Sequence, residues 1–298
     1  MKATISPKLL ALVFASSLLL GICVQAAAPR EDSDEATFTT IDFPGASSTI
    51  AVGVNPRGNI VGQNITAGVS HGFLLSRVAF TSFDFPGASS TTAEGINPRG
   101  DIVGYYMTAG VRHGYLLSRV AFTSIDCPGA SFTSALGINP RGDIVGRCII
   151  GGVSHGYLLR RNRGFATTID FPGASVTTPH GINRRGDIVG FYISAGETHG
   201  FLMSGDEFTS IDFPGSSLTQ AWGINPRGEI VGAYDDAHGV THGFLLSGDE
   251  FTSFDFPGAS FTVAFGINSR GDIVGWYMTA GVSHGFLLSR ESEDDGQK

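Results

Sequence analysis

Six chemically varied residues stand immediately before a Gly-Ile-Asn or Gly-Val-Asn triplet. They are Val52, Glu94, Leu136, His180, Trp222 and Phe265, at intervals of 42, 42, 44, 42 and 43 residues. Glu94 could supply a carboxyl group, His180 an imidazole and Trp222 an aromatic face for stacking. We therefore predict a ligand-binding site of Glu94, His180, Trp222 and Phe265. The alternative is that these side chains fill unequal gaps in a core.

Around these positions the chain repeats one unit six times. Each unit has an Asp before the Pro-Gly turn, an Asn and a His; the histidines are at 71, 113, 155, 199, 242 and 284. A catalytic site needs one asymmetric constellation, so residues present in every unit are assigned structural roles. The repeated Asp is expected to accept backbone N–H groups in its turn. No catalytic or metal-binding residue is assigned.

Each unit is expected to contain four short strands. In the second unit the apolar runs cover 80–85, 90–96, 102–107 and 113–117, and nothing has helical periodicity. The Asn97-Pro98-Arg99-Gly100 segment favours a tight turn between antiparallel neighbours, with Gly100 in the left-handed conformation. These elements would position the varied residues on the second strand of each unit.

Four antiparallel strands repeated six times predict an all-β, six-bladed β-propeller. Gly-Asp turns at 204–207 and 247–250 pair the last strand of one unit with the first strand of the next. Segment 38–43 should therefore be the outermost strand of the last blade and close the ring. The alternative architecture is a tandem pair of β-trefoils.

The segments GINPRGDIVG and HG[FY]LL resemble the HAF-type extracellular repeat family, with Gly in place of the Ala of the His-Ala-Phe triplet. The resemblance covers all six units. It implies a bacterial, exported protein and no particular activity.

The first residues have the pattern of a secretory signal peptide. Lys2 and Lys8 precede an uncharged run at 9–24 and small residues up to Ala28. We predict a signal peptide at 1–26, an acidic linker at 27–37, the propeller at 38–290 and an acidic disordered tail at 291–298. A secreted or periplasmic location follows, with no membrane span after cleavage. An uncleaved anchor is the alternative.

Composition excludes several function classes. The net charge of −8 argues against nucleic-acid binding, and Lys298 is the only lysine after Lys8, which excludes a P-loop or a catalytic lysine. No cofactor is expected, and the chain is expected to be a monomer. Cys127 and Cys148 replace a Phe and a Tyr of other units, and we predict a disulfide between them.

These observations favour an exported binding module with a glycan or protein ligand. One alternative is a structural envelope or matrix protein, which predicts a channel plugged by Leu136, Trp222 and Phe265. The other is a hydrolase or lyase with Glu94 and His180 as acid and base.

Overall fold

The computed structural model describes residues 36–161 and 163–289. The predicted signal peptide, most of the acidic linker and the acidic tail lie outside the described residues. Within them, every regular element is a β-strand, and no helix long and apolar enough to cross a membrane is found.

The strands follow one another in chain order with the same pattern in each unit. The first twelve are β1 (Thr37–Ile41), β2 (Ser48–Val54), β3 (Ile60–Thr66), β4 (Val69–Ser76), β5 (Ala79–Phe83), β6 (Ser90–Ile96), β7 (Ile102–Thr108), β8 (Val111–Ser118), β9 (Ala121–Ile125), β10 (Phe132–Ile138), β11 (Ile144–Ile150) and β12 (Val153–Arg160). The next twelve are β13 (Gly164–Ile169), β14 (Val176–Ile182), β15 (Ile188–Ser194), β16 (Glu197–Ser204), β17 (Glu207–Ile211), β18 (Leu218–Ile224), β19 (Ile230–Asp235), β20 (Thr241–Ser247), β21 (Glu250–Phe254), β22 (Phe261–Ile267), β23 (Ile273–Thr279) and β24 (Val282–Ser289).

Hydrogen bonds group these strands into four four-stranded sheets and one eight-stranded sheet in a propeller-like arrangement. The four-stranded sheets are β2–β5, β6–β9, β10–β13 and β22–β24 with β1. The eight-stranded sheet contains β14–β17 and β18–β21, joined by one parallel residue pair, Thr198 with Leu218. The prediction of an all-β, propeller-like fold is confirmed, whereas six separate sheets are not observed because of this pairing.

Tight turns set the antiparallel registers. Gly100 has φ +88°, its N–H bonds to the Asn97 carbonyl, and the Asn97 side chain accepts the N–H groups of Arg99 and Asp101. Strand β8 begins at Val111, two residues before the start predicted at residue 113. The reason is the two-residue turn Ala109–Gly110, in which both residues have positive φ.

The two ends of the described chain meet in one sheet. Strand β1 pairs antiparallel with β24, with Thr37 opposite Ser289. Phe38 packs with centroid distances of 5.2 Å to Phe256 and 5.6 Å to Phe286. The predicted closing strand is therefore in place.

The six strands that follow the Pro-Gly turns surround a common axis. We call them the inner strands: β2, β6, β10, β14, β18 and β22. A glycine in each lies against the backbone of the next inner strand. A Cβ on Gly137 would stand 2.1 Å from the His180 carbonyl oxygen, and one on Gly266 would stand 2.6 Å from that of Val52. The absence of side chains at these positions lets the inner strands approach into a closed ring.

The hydrophobic core lies between neighbouring sheets. Val61 of β3 packs in one cluster with Ala93 and Ile102 of the following sheet. Val274 of β23 does the same with Ile41 and Phe73, which joins the last sheet to the first.

The repeated His and Asp residues pair with each other. His71 Nδ1 lies 2.9 Å from an Asp84 carboxylate oxygen, and the same pair recurs in every unit, including His284 with Asp42. The expected role of the Asp as a backbone acceptor is not the one observed. The N–H that follows Asp84, that of Phe85, instead donates to the Thr91 hydroxyl at 3.0 Å.

The predicted disulfide between Cys127 and Cys148 is not formed. Both are free, buried cysteines in one core cluster, and their thiols are hydrogen-bonded to each other. This contact raises the pKa of Cys127 and lowers that of Cys148. The two thiols occupy a space that holds a stacked Phe–Tyr pair in four other units, and they lie there without a covalent bond.

Candidate functional site

The structure brings the four predicted site residues together at the axis. Glu94 Oε2 lies 3.9 Å from His180 Nε2. The ring centroids of His180 and Trp222 are 4.6 Å apart, and those of Trp222 and Phe265 are 5.1 Å apart. Each side chain comes from a different inner strand, so the cluster exists only because the ring closes.

These residues line a cavity of about 280 Å³, which we call the axial cavity. Its lining comprises Glu94, Tyr105, Arg112, Phe132, Ser134, Leu136, Arg147, Thr178, His180, Phe191, Trp222 and Phe265. A second cavity, lined by residues of all six inner strands, is smaller, at about 90 Å³. A concavity is therefore present beside the axis, whereas a purely structural role predicts none.

Two arginines enter the axial cavity from strands farther from the axis. Arg112, on β8, places its guanidinium carbon 3.9 Å from the centroid of the Tyr105 ring and 4.7 Å from that of Phe132. Arg147, on β11, lies 5.0 Å from the same Phe132 ring. Neither arginine has a carboxylate within ion-pair distance among the described residues. Contact with ring faces holds both guanidinium groups in position.

Several residues that line the axial cavity carry a buried polar atom with no hydrogen-bond partner within the described chain. These atoms are Arg112 Nε, Ser134 Oγ, Thr178 Oγ1 and Trp222 Nε1. Ser134 and Thr178 are 3% and 5% exposed. Buried polar groups are nearly always hydrogen-bonded, and a cluster of exceptions indicates a place where another molecule binds.

Burial makes both ionisable residues of the predicted site neutral near pH 7. Burial raises the pKa of Glu94 to about 8, against the attraction of Arg112. Burial lowers the pKa of His180 to about 4, and a hydrogen bond with the Trp222 backbone acts in the opposite direction. Glu94 therefore keeps its proton and can donate a hydrogen bond, while His180 stays an uncharged imidazole.

The sequence prediction missed most of the cavity lining. The missed residues include Arg112, Phe132, Ser134, Arg147 and Thr178. The signal was present, because the units also differ two and four residues before the varied position, at Thr92 and Ser90 in the second unit, and at Tyr105 after Ile-Val-Gly. Alternate residues of a strand share one face, so variation with period two marks one continuous surface.

The described residues contain no group of three or more His, Cys, Asp or Glu side chains that could hold a metal ion. The loop at 235–242 of the fifth unit differs in sequence from the loops of the other units, and in it the Asp236 carboxylate accepts the N–H groups of His238 and Val240. These bonds to the backbone lower the pKa of Asp236 to about 2. The loop is explained by turn formation.

The fold and the axial cavity together define an all-β protein of propeller-like architecture with a polar, aromatic-lined cavity at its centre. No family model and no curated protein matches the chain. Among solved structures, TolB from Acinetobacter baumannii is similar with a TM-score of 0.54 and 13% identity over 84% of this chain and 65% of that one. Virginiamycin B lyase from Staphylococcus aureus has a TM-score of 0.53 and 11% identity, over 86% of this chain and 100% of the lyase. At these identities the likeness shows the fold alone.

Proposed function

We propose that this protein is a binding module whose axial cavity takes a carbohydrate. The observation that carries the proposal is the set of four buried, unpartnered polar atoms on Arg112, Ser134, Thr178 and Trp222 within one cavity. A ligand with several hydrogen-bonding groups would give these atoms partners. Aromatic rings beside them suit the apolar faces of a sugar.

The size of the axial cavity supports a small ligand. Its volume of about 280 Å³ is just below the usual range for small-molecule sites, which begins at roughly 300 Å³. A cavity of this size suits a small ligand such as a monosaccharide. A protein ligand would have to insert a single side chain or chain end, so a glycan is the better candidate.

The proposal includes a six-bladed architecture and an extracytoplasmic location. The single parallel pair between Thr198 and Leu218 is a minor link, and we count β14–β17 and β18–β21 as two blades. Six inner strands around one axis support this count. The signal-like sequence at 1–26 and the resemblance to exported repeat proteins support secretion or a periplasmic location.

Calorimetric titration with neutral and acidic mono- and disaccharides tests the proposal. At least one sugar should bind, and Trp222→Ala should weaken it about tenfold or more. Trp276→Ala is the matched control, because Trp276 packs on Phe261 and does not line the cavity. Absence of binding by every sugar, or equal losses in both variants, would overturn the proposal.

A second candidate is catalysis in the same cavity. It is favoured by one observation, the 3.9 Å approach of a carboxyl that retains its proton to a neutral imidazole. Opposed pKa shifts are typical of acid–base pairs. If Glu94 were a general acid, Glu94→Gln would abolish turnover of a bound sugar and retain its binding. The low pKa of His180 makes it a weak base, so binding is the primary proposal.

A further inference from the structure

Four arginines at turns of this fold have fixed carboxylate partners. In four turns an Arg pairs with the acidic residue two positions later, as in Arg99 with Asp101 at 3.0 Å and Arg270 with Asp272 at 2.6 Å. Arg99 and Arg270 also donate to the carbonyls of Pro140 and Pro56 in the neighbouring turns. These arginines are internally satisfied and hold adjacent turns together.

Arg112 and Arg147 differ from that pattern. Both are half-buried, both lie on the Phe132 ring, and Arg112 Nε is buried without a partner. Burial lowers the pKa of Arg147, and the nearby charge of Arg112 lowers it further. Two like charges held together in a half-buried cavity are unfavourable unless an anion joins them.

The other groups of the cavity do not neutralise these two charges. Glu94 is the only carboxyl group in the lining, and its raised pKa keeps it protonated near pH 7. His180 and Tyr105 are uncharged in the same range. The cavity therefore carries two net positive charges in a protein whose formal net charge is −8.

Building on the proposed carbohydrate function, we infer that the ligand is a sugar acid whose carboxylate lies between Arg112 and Arg147. A planar guanidinium edge matches a carboxylate with two parallel hydrogen bonds. The Trp222 indole N–H donates a hydrogen bond to a ring hydroxyl, and the Ser134 and Thr178 hydroxyls form hydrogen bonds with others. The charge, the planarity and the number of polar groups all come from residues of one cavity.

Glucuronate and glucose are the decisive pair of probes, because they differ only in a carboxylate against a hydroxymethyl group. Calorimetric titration should show glucuronate binding at least about tenfold more tightly than glucose. Arg112→Gln and Arg147→Gln should each weaken glucuronate about 10- to 100-fold, and Arg147→Gln should leave glucose nearly unchanged. Arg77→Gln, at an exposed hairpin turn, is the control for loss of one positive charge.

The outcomes separate this inference from the proposed function. Equal binding of glucose and glucuronate, both lost in Trp222→Ala, would overturn the sugar acid and keep the carbohydrate site. Absence of binding by both sugars and by the other sugars of the panel would overturn both. Acetate that competes as well as glucuronate would show that a carboxylate alone is recognised, which also overturns the inference. Thermal unfolding of each variant shows whether it is folded, and Arg112→Lys replaces any unfolded Arg112 variant.

Discussion

Glu94 and His180 approach to 3.9 Å although their strands, β6 and β14, are not neighbours in the ring of inner strands. The inner strand between them, β10, carries Leu136 at the corresponding position. The contact therefore depends on closure of the ring and on the glycines that bring the inner strands together. It also places an acid and a base where neither can easily ionise.

Glu94→Gln should stabilise the protein at alkaline pH. Burial raises the pKa of Glu94 from 4.5 in the unfolded chain to about 8, so the unfolded state loses its proton first. The wild-type free energy of unfolding should therefore fall between pH 4.5 and 8, by a few kcal/mol in total. The free energy of unfolding of Glu94→Gln should not show this decrease. Urea unfolding at pH 5 and pH 9 measures the difference.

The control for that experiment is Glu250→Gln at an exposed hairpin turn. His180 acts in the opposite direction, because its lowered pKa removes stability as pH falls from 6.5 towards 4. The contribution of His180 is present in wild type and in Glu94→Gln. The difference between their free energies of unfolding therefore reports on Glu94. Equal pH profiles for wild type and Glu94→Gln would contradict the burial of a neutral Glu94.

Phe38→Ala should destabilise the fold as much as the same change at Phe80. Phe38 closes the ring from the first strand, and Phe80 is its equivalent within the continuous chain, 5.2 Å from Phe43 and 5.6 Å from Phe73. We expect each variant to lose about 2–4 kcal/mol of unfolding free energy. A loss below about 0.5 kcal/mol for Phe38→Ala alone would show that β1 does not hold the ring closed.

Cys127→Phe and Cys148→Tyr should each lower the free energy of unfolding alone, and the two changes together should raise it relative to the sum of their separate effects. The equivalent pairs, such as Phe85 with Tyr106 and Phe171 with Tyr192, stack at 3.6 Å between centroids. The double variant recreates this stack, and a double-mutant cycle should give a favourable coupling of about 1 kcal/mol. Strict additivity in urea unfolding would mean that the third unit has adapted to its thiols beyond these two positions.

Gly137→Ala should cost more stability than Gly53→Ala. The new Cβ would lie 2.1 Å from the His180 carbonyl oxygen in the first case, and its nearest neighbour would be at 3.1 Å in the second. We expect a loss of about 1–3 kcal/mol for Gly137→Ala, with at least about 1 kcal/mol less for Gly53→Ala. Equal losses in chemical unfolding would contradict the uneven spacing of the inner strands.

Local patterns were sufficient to predict the strands, the turns and the pairing of the chain ends. The grouping of Glu94, His180, Trp222 and Phe265 was also predicted from the sequence. A comparison of the six units separates the residues that every unit shares, which the fold requires, from the residues that vary. Arg112 was missed because it lies on a different strand and its role depends on the neighbouring Phe132 and Arg147. The disulfide prediction was wrong. The replacement of two contacting aromatic rings by two cysteines indicates that the cysteines are neighbours, but it does not bring their sulfurs to bonding distance.

Whether the axial cavity holds the ligand is tested most directly by tryptophan fluorescence. The chain has two tryptophans, so Trp276→Phe leaves Trp222 as the only reporter. Titration with glucuronate should change the Trp222 emission saturably, with the same dissociation constant that calorimetry gives. Heat of binding without any change in Trp222 emission would place the ligand elsewhere and contradict the axial site.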